Sequence, residues 1–318
     1  MAGVREYSDI DRSLTTFSLV GIVLALSLVL IYIGDGFQGN SISSISSSEK
    51  LSTPGIAVFR AIVSLVCFST IASIILDPKG MTYNVLDYET KLYGPRSITG
   101  MTRMSAFTMW SFTLLGVYFA VSSYSSWAVH YGWELGEWAA WLVPALFSSA
   151  IASAFLVTIT VTYMMIPEAN ERGHNITHYF KWDSQLMHNG NVIFILTEMA
   201  VSNISLSLWY LPYPVIFAST YVLFSGFNAR RSGFYFYDFI DPRLNGSHII
   251  HMVLLGVMSI HFILALTVQG LAELSFTGYV LTLVAIGYLA TTFSNPSDCL
   301  LYTSPSPRDL STSRMPSS

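Results

Sequence analysis

The chain reads as an all-α polytopic transmembrane bundle with a cytoplasmic N-terminus, and three features of its 318 residues lead there. Hydrophobic residues make up 52% and aromatic residues 14%, against only 11% charged, where a soluble domain carries about 25%. Apolar runs near the ~20 residues needed to cross hydrocarbon recur along its length. Lysine and arginine alternate between the connecting loops in the way that orients membrane helices.

In chain order the apolar runs are 16–33, 57–76, 104–123, 138–166, 186–206, 212–227 and 247–272, giving seven spans, with a shorter eighth candidate at 277–293. The first run has only Arg5 and Arg12 ahead of it and no small-residue cleavage site after Ile33, so it reads as a retained span. With seven spans, one side of the membrane receives Arg5, Arg12, Lys79, Lys91, Arg96, Arg103, Arg172, Lys181, Arg230, Arg231 and Arg243, while the other receives Lys50 alone. That asymmetry places the N-terminus inside. Arg60, in the first turn of the second span, is expected to snorkel to the opposite interface.

Between the spans, 41–54 (SISSISSSEKLSTP) is Ser-rich and lacks periodicity, which predicts a flexible non-cytoplasmic loop. Residues 81–100 carry Tyr83, Tyr88 and Tyr93 among scattered charges, which predicts a segment lying at the interface, with Trp127, Trp133, Trp138 and Trp141 as the belt on the far side. From 297 onward the composition turns Ser/Pro-rich, reading as either a translated adapter scar, in which case the native C-terminus is missing, or a disordered tail. The chain therefore divides into an added span with its Ser-rich loop (1–56), a membrane core (57–272), an eighth candidate span (273–296) and a tail (297–318).

Two cysteines, Cys67 and Cys299, supply neither a disulfide framework nor a metal spacing, and no cofactor motif is present. Without a basic patch the chain does not read as a nucleic-acid binder. The expected partners are membrane lipids, and the expected place is an endomembrane or the plasma membrane.

Chemistry concentrates in 182–199, WDSQLMHNGNVIFILTEM. At 100° per residue His188, Asn191, Glu198 and Ser202 share one stripe, which cannot face lipid because polar groups there go unsatisfied. Glu198, placed near mid-membrane, reads as a structural hydrogen-bond donor or a relay. Thr108 lies five residues past Arg103 on the third span and His188 seven past Lys181 on the fifth, so their depths differ by about 3 Å at 1.5 Å per residue. A threonine hydroxyl needs an adjacent base to become a nucleophile, and neutral histidine is the usual one near pH 7. Ser111 shares the Thr108 face with Leu115 and Phe119, and Ser111, Asn189 and Asn191 are oxyanion donors by residue type. Tyr237, Asp238 and Asp241 fall at the cytoplasmic mouth, where a carboxylate, Asp238 first among them, would orient His188. His251 and His261 are ten residues apart, which is not a metal-ligand spacing, and read as core or interface residues.

The segments AFTMWSFTLLGVYF (106–119) and W-x5-H-x5-FIL-x-EM (182–199) resemble the two signature helices of the androgen-induced protein family of multipass membrane threonine hydrolases. F-T-x-W (107–110) and H-x-x-N (188–191) are also similar to the rolling-stone branch of that superfamily. The likeness runs from the second span through Asp241. It implies that the family's nucleophilic threonine falls on Thr108 and its histidine on His188, and that the substrate is a fatty acid ester of a hydroxy fatty acid. The chain departs from the pattern at Asp238, where proline is expected, at Ser184 and Gln185, which replace an Asn-His pair, and in its additional first span. Two functions follow as expectations: a lipid acyl-ester hydrolase using Thr108 and His188, or a non-catalytic multipass scaffold, carrier or fusion-related protein. A carrier should show internal symmetry and broken helices at matched positions, and the sequence shows neither.

Overall fold

The computed structural model describes residue 7 and residues 11–34 and 40–294. Arg5, the 297–318 tail and Cys299 lie outside the described residues. The helices are α1 (Ser13–Ile33), α2 (Ile42–Ser46), α3 (Thr53–Leu76), α4 (Phe107–Tyr131), α5 (Trp138–Thr160), α6 (Ile166–Glu171), α7 (Trp182–Gln185), α8 (Asn191–Val201), α9 (Pro212–Ser232), α10 (Ser247–Leu274) and α11 (Phe276–Ala290). Among the described residues, five helical stretches are long and apolar enough to cross a membrane: α1, α3, α4, the 138–171 rod that begins with α5, and α10. The eighth candidate run is a helix, α11, of 15 residues.

The ends of these helices follow from local chemistry. Ser52 caps α3 by accepting from the Gly55 N–H, and Pro54 sits in the first turn, where its missing donor costs nothing. Gly132, at φ 69°, takes the left-handed conformation that closes α4. Gly116 lets α3 and α4 approach so closely that a Cβ there would lie 3.0 Å from Cys67 Cβ, and the Ser64 hydroxyl donates to the Gly116 carbonyl at 3.0 Å. Small residues and hydroxyls at such a seam let helices pack where apolar burial alone gives no preference for helix over lipid. The 138–171 rod is the central element, with 78% of its apolar stretch buried against 22% for α1. Around it stand α4, α8, α9 and α10, with α1 against α9 and α10 and with α11 against α8 and α10.

The fold is not all-α. Residues 81–98 form an antiparallel hairpin of β1 (Met81–Asp87) and β2 (Tyr93–Ile98), and β3 (Phe234–Tyr235) pairs with the other edge of β1, giving the order β2-β1-β3. The Asp87 carboxylate builds the hairpin turn by accepting from the Glu89 and Thr90 N–H groups at 3.1 and 2.9 Å. Pro95 stands in β2, an edge strand, where its missing N–H is tolerated. In the segment expected to lie at the interface, Tyr83 and Tyr93 are thus held in paired strands, and Tyr88 sits in the turn with its N–H on the Gly233 carbonyl.

Two further expectations change. Arg60 does not snorkel: its side chain and that of Glu198 are both 0% exposed and meet at 2.6 Å. Arg60 also donates from Nε to the same Glu198 oxygen at 3.0 Å, and from Nη1 to the Ile45 carbonyl and the Ser126 hydroxyl, each at 2.8 Å. Tyr118 donates to that Glu198 oxygen at 2.8 Å, so this oxygen accepts in a buried ion pair in the last turn of α8. The Ser-rich loop, in turn, contains α2, closed by a reciprocal Ser41–Ser44 cap, with Ile45 fully buried and its carbonyl held by Arg60. Four elements, α2, α3, α4 and α8, therefore converge on one buried ion pair.

Removing one member of such a pair leaves an uncompensated charge in apolar surroundings, a loss of about 3–5 kcal/mol. Glu198→Gln and Arg60→Met should each lower the thermal unfolding midpoint in detergent sharply. The Arg60→Met/Glu198→Leu double variant should recover much of the loss, which a double-mutant cycle would read directly.

Candidate active site

Thr108 and His188 reach the same place by different routes. Thr108 is the second residue of α4, at the end of the bundle that carries the sheet. His188 lies within 186–190, a stretch of wide π turn between α7 and α8. Such turns push one carbonyl out of the helical ladder and recur at functional sites. Here the Thr158 hydroxyl of α5 satisfies the His188 carbonyl and also donates to the Asn191 side-chain oxygen, at 2.9 Å for the latter.

Thr108 and His188 both line a cavity of about 70 Å³, together with Arg103, His178, Tyr179, Asp183 and Tyr237 among others. Inside it, His188 Nδ1 is buried and has no hydrogen-bond partner among the described residues. Its ring stands 6.0 Å from that of Tyr179. A second cavity, of about 80 Å³, meets Thr108 from the other side and is lined almost wholly by apolar residues of α4, α5, α9 and α10 such as Leu156, Val222 and Leu255. A third, of about 440 Å³, has a more polar lining that includes Asn84, Glu168, Arg172, His174, Lys181 and Asp238 beside the sheet. Met165 and Tyr237 line all three. Met165 ends another π stretch, 161–165, so the two wide turns among the described residues border the same space.

Most of the supporting residues expected from the sequence lie elsewhere. The π stretch breaks the 100° register, so the predicted stripe does not form one site, and Ser202 is already in extended backbone past α8. Asn191 turns to Thr158, and Glu198 to Arg60. Asn189 donates to the Gln185 side chain at 2.7 Å and to the Thr292 carbonyl at 2.5 Å, facing the end of α11. Ser111 is buried on α4 but lines neither the Thr108 cavity nor the apolar one beside it. Asp238 borders the polar mouth instead of the His188 cavity, and Asp241 is held by Arg243 at 2.8 Å and Tyr7 at 3.1 Å. The carboxylate that does line the cavity is Asp183, whose Oδ1 accepts from the Ser184 N–H at 2.9 Å. His251 and His261 each donate from Nδ1 to the carbonyl four residues back on α10, at 2.7 and 2.8 Å, well inside the helix packing.

Sequence reasoning missed Tyr237's part and those of Tyr179, His178 and Asp183. Tyr237 follows β3, and it is the pairing of β3 with β1 that brings 234–237 over the start of α4. The only trace of this in the sequence is the alternation of FYFY at 234–237. Comparison of the chain with models of known families, with curated proteins and with solved structures finds no match in any of the three.

The loop wall of the site is pH-sensitive. His178 Nδ1 donates to the Asn175 carbonyl at 3.0 Å, its ring lies against Tyr179 and Tyr83, and burial holds the imidazole below its usual 6.5, with nearby Lys181 adding to the effect. The folded state therefore takes up the proton later than the unfolded chain, so stability is full above about 6.5 and is lost as the pH falls below it. His178→Gln should flatten that loss. Thermal midpoints of both proteins measured from pH 7.5 to 5 should diverge in slope below pH 6.5.

Proposed function

We propose that the protein is an integral membrane hydrolase of lipid acyl esters, with Thr108 as nucleophile and His188 as base. One observation carries the reading: Thr108 and His188 line one small cavity that adjoins an apolar pocket on one side and a polar mouth on the other. An acyl ester has that same sequence of parts, a hydrocarbon chain, a carbonyl and a more polar remainder. In this reaction the acyl chain enters between α5, α9 and α10, the carbonyl carbon stops at Thr108, and the alcohol part faces the mouth. The His188 Nδ1, buried and without a hydrogen-bond partner among the described residues, is placed to accept a proton. The resemblance of 106–119 and 182–199 to multipass threonine hydrolases points to the same pair, and fatty acid esters of hydroxy fatty acids are the substrate class it suggests. The scaffold reading draws on the Arg60–Glu198 pair, which ties helices together without reference to the cavity.

We further propose seven spans with the N-terminus and the sheet on the cytoplasmic side. The charge asymmetry supports this orientation, since Lys79, Lys91, Arg96, Arg172, Lys181, Arg230 and Arg243 all gather at the sheet end. Glycosylation mapping in microsomes should then find Asn175 and Asn245 unmodified, although both stand in Asn-x-Ser/Thr sequons. A glycan on Asn175 reverses the orientation.

Groups that act as one catalytic unit are strongly non-additive. Thr108→Ala, His188→Ala and the double variant should fall to the same floor of esterase activity, with thermal midpoints near that of the wild type. An alkyl fluorophosphonate should label the wild type and fail on Thr108→Ala. Absence of both labelling and hydrolysis in well-folded wild-type protein, tested on hydroxy-fatty-acid esters, would leave the scaffold reading in its place.

A further inference from the structure

Attack on an ester creates negative charge on the carbonyl oxygen, and the Thr108–His188 pair alone offers nothing to stabilise it. Ser111, Asn189 and Asn191, the donors expected by type, do not line the cavity. Tyr237 does, and it also lines the apolar pocket that meets Thr108. Its phenol lies beside the Thr108 side chain and the first backbone N–H groups of α4, those of Phe107 and Thr108. Those two residues open α4, so their amides have no acceptor within the helix.

We propose that Tyr237 is the oxyanion donor of this site, acting together with the Thr108 amide; the assignment rests on the reading of Thr108 and His188 as nucleophile and base. As Thr108 Oγ bonds to the carbonyl carbon, its proton passes to His188 and the carbonyl π pair moves onto oxygen. That oxygen is then one bond from the carbon held by Oγ, so the groups able to reach it are those already gathered around Oγ, the Tyr237 hydroxyl and the first amides of α4. Collapse of the intermediate restores the carbonyl, breaks the bond to the alcohol oxygen and returns the proton from His188 to it. Water repeats the sequence on acyl-Thr108 and releases the fatty acid. Burial raises the Tyr237 phenol above its usual range, with the contacts to Thr108 opposing it in part, so it remains a proton donor at neutral pH.

The placement of Tyr237 also gives the sheet a role. β3 ends at Tyr235, and its pairing with Leu86 and Asp87 of β1 fixes the two residues that follow it. Phe236 packs on Tyr83 of β1 with ring centroids 5.1 Å apart, and Tyr237 stacks on Phe239 at 5.4 Å. A donor held by strand pairing and two ring contacts needs no rearrangement as the charge appears, which is the condition for strong transition-state stabilisation.

Tyr237→Phe removes the hydroxyl and keeps the ring. Loss of one such donor costs about 10²–10³ in kcat, so hydrolysis of a p-nitrophenyl decanoate substrate should slow about 100-fold, with KM changed less than about threefold. Labelling by an alkyl fluorophosphonate, which also builds charge on oxygen, should slow by a similar factor. A purely structural role would instead lower the thermal midpoint and leave the residual labelling rate per folded molecule unchanged. Wild-type rates in folded Tyr237→Phe, with an active wild type, overturn the Tyr237 assignment alone. An inert wild type overturns the Thr108–His188 reading and this assignment with it. Should Tyr237→Phe fail to fold, 3-fluorotyrosine at 237 keeps the shape and makes the phenol a stronger donor: an altered kcat with unaltered KM supports the assignment, and an unaltered kcat overturns it.

Discussion

An arginine and a glutamate, both without solvent contact, meet inside an apolar bundle, and the rest of the architecture accommodates them. A lone charge in these surroundings costs several kcal/mol, so each partner forces the other's helix to a fixed depth and rotation. Arg60 uses its remaining donors on the Ile45 carbonyl, the Ser122 carbonyl and the Ser126 hydroxyl, and Tyr118 completes the shell around the Glu198 oxygen. Hence α3, α4 and α8 are locked at the end of the bundle that carries α2. The same pair folds the Ser-rich loop onto the bundle, since α2 supplies one of the acceptors that the guanidinium requires.

The opposite end is built on other principles. There the helices are joined by a hairpin and a short third strand, and the interior is not fully packed. Two helices run through wide π turns, at 161–165 and 186–190, and both turns border the cavities. A π turn displaces backbone carbonyls from regular bonding, which is destabilising unless a neighbour compensates, as Thr158 does for His188. The molecule thus has one end tied together by a buried ion pair and one end where irregular backbone borders cavities. That division is the expected signature of a site supported by a scaffold.

Much of this was legible in the sequence. The apolar runs mark where the helices lie, because 20-residue hydrophobic stretches leave little alternative, although α4 extends to Tyr131 and the 186–206 run is helical only to Val201. Thr108 and His188 were paired by depth counted from Arg103 and Lys181, and they do share a cavity. What failed has identifiable causes. Assigning His188 to one stripe with Asn191, Glu198 and Ser202 assumed a uniform helix through 188–202, but a π turn shifts His188 and the helix ends at Val201, and neither has a clear signal in composition. Arg60 read as an interfacial residue because its partner is 138 positions away, and no local pattern announces a pairing of that range. The hairpin was hidden because Tyr83, Tyr88 and Tyr93 fit an interfacial segment as well as a strand, although the alternation in MTYNVLD and the DYETK turn were available as signals.

The three cavities impose a direction on whatever occupies them. Thr108 stands at the boundary between an apolar lining and a polar one, since its residue borders the pocket of Leu156, Val222 and Leu255 as well as the His188 cavity. An amphipathic molecule would match the two linings, with its apolar part beside Leu156, Val222 and Leu255 and its polar part toward Asn84, Lys181 and Asp238. Its junction would then fall near Thr108, which borders both the apolar pocket and the His188 cavity. In a lipid ester that junction is the ester group itself. The chemistry proposed for Thr108, His188 and Tyr237 asks for that same placement.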